Sequence, residues 1–384
     1  MSEWKKVKLG EICERVTSGG TPKANVSSYY NPPTIPWLKT KEVNYCRITE
    51  TENYISEEGL KNSSAKLISP NSVIIAMYGQ GDTAGRVAIN KIPLATNQAC
   101  CNLTIDKSKA DYEFIYYQLC TLYDKLVSLK AGAAQPNLNA RIIKNLEIIM
   151  PSLPIQYCIA NILSRYDSLI ENYQKQIKLL EEAAQRLYKE WFVDFHFPGH
   201  ETTKIVYGVP EGWTPSQLGQ LAEFKRGKTI TKKDVIDGDI PVVAGGLEPA
   251  YYCNKSNTAE RVITISGSGA NAGFTRMYFE KVWASDCSFV DASVTPFLHF
   301  VYCFLKNNKT TIDNLQKGAA QPHVYAKDIN SLSICIPIES VLKSFEEKVS
   351  NYFDTTASLQ SQLRLLTEAR DRLLPKLTNG EMEI

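Results

Sequence analysis

Histidine is scarce in this chain, at four residues in 384, and its ten cysteines include no C-x-x-C pair. Only Cys100 and Cys101 are adjacent. Zinc sites draw on closely spaced Cys and His, and disulfide scaffolds are short and densely bridged. The cysteines therefore read as buried, reduced thiols, and no metal site is expected. No apolar run approaches the roughly eighteen residues of a transmembrane helix. The opening MSEWKKVKLGEICERV carries no apolar signal core. Neither secretion nor membrane insertion is expected, which leaves a cytoplasmic protein. An excess of one charge is missing too: 43 Lys and Arg against 41 Asp and Glu give a formal net charge of +2. A surface for a polyanion would have to be a local patch, or be shared with partner subunits.

Signatures of catalysis are also lacking. There is no Walker loop, no H-E-x-x-H and no Ser/His/Asp arrangement. GQGDTAG has the spacing of a dinucleotide-binding loop, but that loop must open a helix that holds pyrophosphate. Here the glycines follow SVIIAMY and lead into RVAINKIPLA, so a turn between two strands is the expectation. NPPT (Asn31 to Thr34) lacks the aromatic residue that would stack a flipped adenine, and reads as a proline turn before a strand. HFPGH sets His196 and His200 four apart, but Pro198 breaks the helix that would align them. No catalytic residues are assigned.

What the chain does contain is itself, twice. LKAGAAQPNLNARIIKNLEI from Leu129 is answered 186 positions later by LQKGAAQPHVYAKDINSLSI from Leu315. LLEEAAQRLY and LLTEARDRLL share that offset. W-x-x-x-x-L-G occurs at Trp4, Leu9, Gly10 and again at Trp213, Leu218, Gly219. VIIAMYGQGDTAGR matches VITISGSGANAGF, aligning Gly79, Gly81 and Gly85 with Gly267, Gly269 and Gly273. Two copies are too few for a solenoid and fit a duplicated module of a variable block followed by a helix.

Each helix carries apolar residues at alternating spacings of four and three, the signature of a coiled-coil seam. The first seam reads Ile155, Ile159, Ile162, Tyr166, Leu169, Tyr173, Gln176, Leu180, Ala183 and Leu187. The second reads Val341, Phe345, Lys348, Tyr352, Thr355, Leu359, Gln362, Leu366, Ala369 and Leu373, with Lys348 and Thr355 intruding. Matched length and register favour mutual pairing, most simply antiparallel, with Gln176 and Gln362 meeting to set the register.

Candidate DNA-binding residues come from basic and amide-bearing stretches of the variable blocks. They are Lys39, Lys41, Gln80, Arg86, Asn97 and Gln98 in the first half, and Arg226, Lys228, Lys232, Lys233, Ser268, Asn271 and Arg276 in the second. Cations of this kind can neutralise phosphates, and amides and hydroxyls can read base edges, while each cluster taken alone also fits a solvated face in a chain rich in charges of both signs.

These features together resemble the specificity subunit of type I restriction-modification systems, over nearly the whole chain. LYKEWFVDFHFPG (Leu187 to Gly199) and RLLPKLTNGEMEI (Arg372 to Ile384), which close the two helices, are its most specific marks. The paired W-x-x-x-x-L-G starts, the proline-flanked helix starts and the twin GAAQP elements add to it. The resemblance implies an α+β fold. Two α/β target-recognition domains with β-rich cores would be separated and joined by two long helices, forming an antiparallel coiled coil with an internal pseudo-two-fold repeat. The expected parts are residues 1–150, the first recognition domain; 151–199, the central helix; 200–336, the second recognition domain; and 337–384, the C-terminal helix.

The resemblance further implies a non-catalytic subunit whose domains each read one half of a split site in double-stranded DNA. The helices would set the half-site spacing and dock two modification (methyltransferase) subunits, with restriction (translocase and nuclease) subunits joining the full complex. S-adenosylmethionine and ATP would bind those partners, leaving no cofactor on this chain. The repeated segments would join each domain to the helical frame through Gly132, Gln135, Pro136, Gly318, Gln321 and Pro322. Alternatives are a stand-alone DNA-binding or architectural protein, and a coiled-coil scaffold.

Overall fold

A computed structural model of the chain describes residues 4–130, 136–318 and 321–382. It divides into two units, Met1–Glu171 with Arg364–Ile384, and Asn172–Leu363. In unit 1 the strands and helices run β1 (Lys5–Lys8), β2 (Cys13–Ser18), β3 (Ile35–Leu38), β4 (Cys46–Ile48), β5 (Tyr54–Ile55), α1 (Glu57–Lys61), β6 (Leu67–Ile68), β7 (Val73–Ala76), β8 (Val87–Asn90), β9 (Leu94–Thr96), β10 (Cys100–Ile105), α2 (Tyr112–Thr121), α3 (Tyr123–Ser128), α4 (Ala140–Lys144) and β11 (Glu147–Met150). The long helix α5 (Leu153–Phe192) begins in unit 1 and ends in unit 2. Unit 2 continues with β12 (Ile205–Val206), β13 (Val209–Pro210), β14 (Thr214–Gln217), α6 (Leu218–Leu221), β15 (Lys225–Arg226), β16 (Ile240–Val243), β17 (Tyr251–Cys253), β18 (Val262–Ser266), β19 (Thr275–Tyr278), β20 (Trp283–Ala284), β21 (Cys287–Asp291), α7 (Leu298–Asn307), α8 (Lys309–Asp313), α9 (Ala326–Asn330) and β22 (Ser333–Ile336). The second long helix, α10 (Glu339–Thr378), starts in unit 2 and ends in unit 1.

Unit 1 holds a five-stranded sheet in the order β2-β10-β7-β8-β4, a four-stranded sheet β5-β3-β9-β6, and the pair β1-β11. All four residues of β7 are buried because both faces of its sheet are covered. Alternation sends Val73 and Ile75 into the core with Phe114 and Leu119 of α2, and Ile74 and Ala76 into a second cluster with Leu38 and Leu94. Helix α2 starts where the Asp111 carboxylate accepts a hydrogen bond from Phe114 N at 2.8 Å, an N-cap.

Unit 2 repeats this plan in shorter form, with sheets β15-β21-β18-β19 and β17-β16-β20, and the pair β14-β22. The ladders give the correspondence residue by residue. Cys101 faces Ser18 and Ile75 in unit 1, as Ser288 faces Arg226 and Ile265 in unit 2. Parallel β3–β9 matches parallel β16–β20. Strand β4, which lies parallel to β8, has no counterpart among the described residues of unit 2.

The helices are shared crosswise. The first half of α5 and the last turns of α10 belong to unit 1, and the remainders belong to unit 2. Each unit is thus built on two segments that run in opposite directions. Their buried stripe keeps Ile159, Val341, Phe345 and Leu359 of the predicted seam and elsewhere along it lies one residue later than the apolar periodicity predicts. On α5 the buried residues are Gln156, Ala160, Leu163, Asp167, Ile170, Ala184, Tyr188 and Trp191, joined by Ile159. Of the predicted seam, Ile162, Tyr166, Tyr173, Leu180 and Leu187 are half-buried at its flank, and Leu169 and Gln176 are exposed. On α10 the same shift replaces exposed Lys348 and Thr355 with buried Val349 and Thr356, beside Phe353 and Leu359. Tyr352, Leu366 and Leu373 are half-buried, and Gln362 is exposed.

Polar residues inside the true stripe caused the misreading. Gln156 and Asp167 look like solvent positions, yet both are buried with their hydrogen bonds filled. The expected glutamine pair does not form. Gln176 donates to Asn172 Oδ1 at 2.9 Å, and Gln362 to Ser358 Oγ at 3.4 Å, each on its own helix.

Two different chemistries hold the helices. In unit 1, Asp167 accepts from Arg47 Nη1 at 2.9 Å, Tyr117 OH at 2.6 Å and Arg370 Nη1 at 3.0 Å, tying β4, α2, α5 and α10 together. Burial works against the Arg47 cation, but Tyr117 and Asp167 outweigh it and hold its pKa above the ordinary value. In unit 2 the LYKEWFVDFHFPG motif supplies an aromatic cluster. Phe192 lies 4.8 Å from Phe300, 4.9 Å from Phe345 and 5.8 Å from Trp213, ring centre to ring centre. The other closing motif seats Leu373, Leu374 and Leu377 in the core of unit 1. There Gly380, at φ +81°, packs on Trp4 so closely that a Cβ would lie 2.9 Å from the indole.

Candidate nucleic-acid interface

In unit 1 most of the candidate cations are engaged by neighbours. Lys39 donates to Asn53 Oδ1 at 2.9 Å and sits 5.1 Å from the Trp37 ring. Lys41 pairs with Glu52 at 3.7 Å, and Arg86 with Asp82 at 2.5 Å, the latter pulling the Asp82 carboxyl below its usual range. Such exposed pairs are weak and can exchange a carboxylate for a phosphate. Asn97 turns its carboxamide inward, accepting from Ala99 N at 3.2 Å, and so shapes the turn between β9 and β10. Gln80 and Gln98 are exposed, and the Thr21 hydroxyl bonds to Gln98 Oε1.

The cations of unit 2 are freer. Arg226, Lys228, Lys232 and Lys233 are exposed, and among the described residues none of them forms an ion pair. All four belong to β15 and the segment that follows it. Arg226 also lines a small concavity of about 40 Å³ with Asp286, Ser288, His323 and Tyr325. Ser268 bonds to Asp286, and Asn271 is half-buried in a 3₁₀ turn. Arg276 donates to Leu247 O at 2.9 Å, pairs with Glu248 at 3.2 Å and stacks 4.8 Å from the Tyr278 ring.

Both glycine turns connect antiparallel strands, β7 to β8 and β18 to β19. They differ in length, which alters the residue correspondence. Gly85 N donates to Ala76 O, and Gly273 N to Ser266 O, so the turn of unit 1 holds two more residues. Arg86 therefore corresponds to Phe274, and Arg276 to Ala88. The two arginines are not equivalent.

The GAAQP elements end beside these turns. Leu138 N donates to Met77 O at 3.1 Å, and Val324 N to Gly267 O at 3.1 Å. Gly318 has φ +99°, its neighbour Lys317 exchanges paired backbone hydrogen bonds with His323, and Pro322 O accepts from Gly269 N at 3.0 Å. Gln321 is exposed, and Pro136 is exposed just before Leu138. Gly132 and Gln135 lie outside the described residues.

The Arg47–Tyr117–Asp167–Arg370 network escapes a reading of sequence because its bonded partners lie 50 to 203 positions apart. A lone aspartate on the apolar side of a long helix is the signal that marks it.

Comparison with known proteins agrees with this architecture. The profile of the type I restriction modification DNA specificity domain matches residues 1–182 and 210–366. The specificity subunit of the type I restriction enzyme MjaIX from Methanocaldococcus jannaschii is 28% identical, over 100% of this chain and 94% of that protein. A putative type I specificity subunit from Mycoplasma pneumoniae is 25% identical, over 77% of this chain and 80% of its own length. The crystal structure of a type I restriction-modification S subunit from M. genitalium shares the fold, with a TM-score of 0.64 at 19% identity, covering 98% of this chain and 96% of that one. With two profile matches that lie one in each half, the chain belongs to the type I restriction modification DNA specificity domain family.

Proposed function

We propose that this chain is the DNA-reading subunit of a type I restriction-modification complex, that each unit reads one half of a split site in double-stranded DNA, and that α5 and α10 set the distance between the halves. The observation that carries this reading is a frame repeated without its surface. The strand pairings of the two units correspond residue by residue, whereas the residues at matched positions differ, half-buried Ser18 against exposed Arg226 and buried Gly20 against exposed Lys228. A common frame with separate surfaces is what two different half-sites require. Helices of 40 residues, each about 60 Å long, are of a size to span more than one turn of duplex.

The chain supplies no catalysis in this reading. Two methyltransferase subunits dock on the helices and bring S-adenosylmethionine, and restriction subunits bring ATP-driven translocation and cleavage. The assembly works in the cytoplasm. Co-expression with the methyltransferase subunit, followed by mapping of methylated adenines in the host genome, tests it. Two short defined sequences around an undefined gap support the reading. A continuous motif, or co-purification without methylation, refutes it. Inserting four residues after Leu169 should lengthen the gap and leave both halves unchanged.

A further inference from the structure

The ladders also align the loops that leave the first sheet strand of each unit. Gly19 N donates to Cys100 O and Gly227 N to Cys287 O, then Gly20 N donates to Thr96 O and Lys228 N to Ala284 O. Thr21, Pro22 and Lys23 thus correspond to Thr229, Ile230 and Thr231. The crossing point admits no side chain. A Cβ on Gly19 would lie 2.1 Å from Thr96 O, and one on Gly227 2.3 Å from Ser285 O.

Past this crossing the same two carbonyls are held in both units. Trp37 Nε1 donates to Gly20 O at 3.1 Å, and Trp283 Nε1 to Lys228 O at 2.7 Å. Tyr30 OH donates to Pro22 O at 2.8 Å, and Tyr251 OH to Ile230 O at 2.5 Å. The donors, however, come from places that do not correspond. Trp37 lies on β3, with Ala95 of β9 as its ladder partner, whereas in unit 2 Val242 of β16 is the partner and Trp283 lies on β20. Tyr30 precedes β3, while Tyr251 lies on β17, after β16. Simple duplication leaves donors at matching positions. Acceptors that match while their donors do not mark the shape of the loop as the quantity under constraint.

Side chains along the loop alternate. Pro22 is buried and Ile230 half-buried, while Thr21, Lys23, Thr229 and Thr231 are exposed. We propose that these loops, residues 21–23 and 229–231, are specificity-determining elements of the two units, each making base contacts in its own half-site. Trp37, Tyr30, Trp283 and Tyr251 are positioning residues that hold the loop backbone. The proposal rests on the reading that each unit recognises half a DNA site. Threonine meets base edges and the thymine methyl, and lysine meets the acceptors of guanine, so the outward set is chemically suited to the major groove. A backbone clamped before binding loses little entropy on contact, which lets short side chains discriminate.

The test uses the full chain co-expressed with its methyltransferase subunit, with genome-wide mapping of methylated adenines. The wild-type chain is mapped first. No split motif there overturns the functional reading itself, together with the proposal that rests on it. Given a split motif, Trp37→Phe removes the indole N–H together with its pyrrole ring and keeps an aromatic side chain, and Thr21→Ala with Lys23→Ala changes only exposed side chains. Trp283→Phe, and Thr229→Ala with Thr231→Ala, do the same in unit 2. The expected result is that unit 1 variants relax one half-site and unit 2 variants the other. Methylation of sites with one altered base should rise about five-fold or more relative to the cognate site, with the opposite half unchanged. If the exposed-residue variants leave both halves unchanged, or if methylation falls with base preference intact, the proposal is overturned. Those variants disturb no buried atom, so they decide the matter even if a tryptophan variant fails to fold.

Discussion

Asp167→Asn removes the charge that ties unit 1 to the helices, because the side chain keeps its shape and loses its ionic character and one acceptor. Arg47 and Asp167 are each 8% exposed, so neither can turn to water when the other changes. The substitution leaves two arginines facing a neutral amide, one of whose two acceptor oxygens becomes a donor. Removing one partner of a buried pair costs about 3–5 kcal/mol. Glu171 at 3.3 Å and Glu113 at 3.8 Å still face Arg47, which places the expected loss at about 3 kcal/mol. For a unit of this size that is a fall in melting temperature of about 6–12 °C. Hydrogen exchange resolved by peptide is the assay, since the loss should appear in β4, α2 and the first half of α5 and spare β18 and β21. Replacing the set together, Arg47→Met, Asp167→Leu and Arg370→Met, should recover stability to within about 1 kcal/mol of the wild type, because no charge is then left buried alone. A loss under about 1 kcal/mol for Asp167→Asn, or a triple variant as damaged as the single one, would refute the reasoning.

The aromatic cluster predicts the complementary result: Phe345→Ala, at a position with no exposure, should cost about 3–5 kcal/mol, seen as early unfolding of unit 2 by the same exchange measurement. Gln176→Leu and Gln362→Leu should each change stability by less than about 0.5 kcal/mol in urea titrations, since both amides bond only within their own exposed helix surface. Burial pushes the thiols of Cys101 and Cys287 up to about 12, from an ordinary 9.0. Because the folded pKa is the higher one, their contribution to stability is full below pH 9.0 and declines as the pH rises toward 12. Rapid reaction of these two thiols with a disulfide reagent in the native protein at pH near 8 would contradict this.

The duplication was legible because it is written in identity, as in the two GAAQP elements, and in periodicity, as in the two long helices. The turn between β7 and β8 was legible for a similar reason, since a strand-like run on each side of clustered glycines leaves no helix for a phosphate to cap. Along most of α5 the seam was misplaced by one residue for a definite reason. Periodicity scores Asp167 and Gln156 as surface, and only their partners, Arg47, Tyr117, Arg370 and the backbone at Asp111 and Pro151, show why they can be inside.

Local chemistry, then, was enough to determine the existence of two modules, the long helices and the turns, because these depend on residues near one another in the chain. Tertiary structure alone decided which face of each helix is buried and which carbonyls of the loops after β2 and β15 are held. Those outcomes depend on pairings such as Asp167 with Arg370 and Trp283 with Lys228, where a polar group is stable only because a distant residue completes its hydrogen bonds.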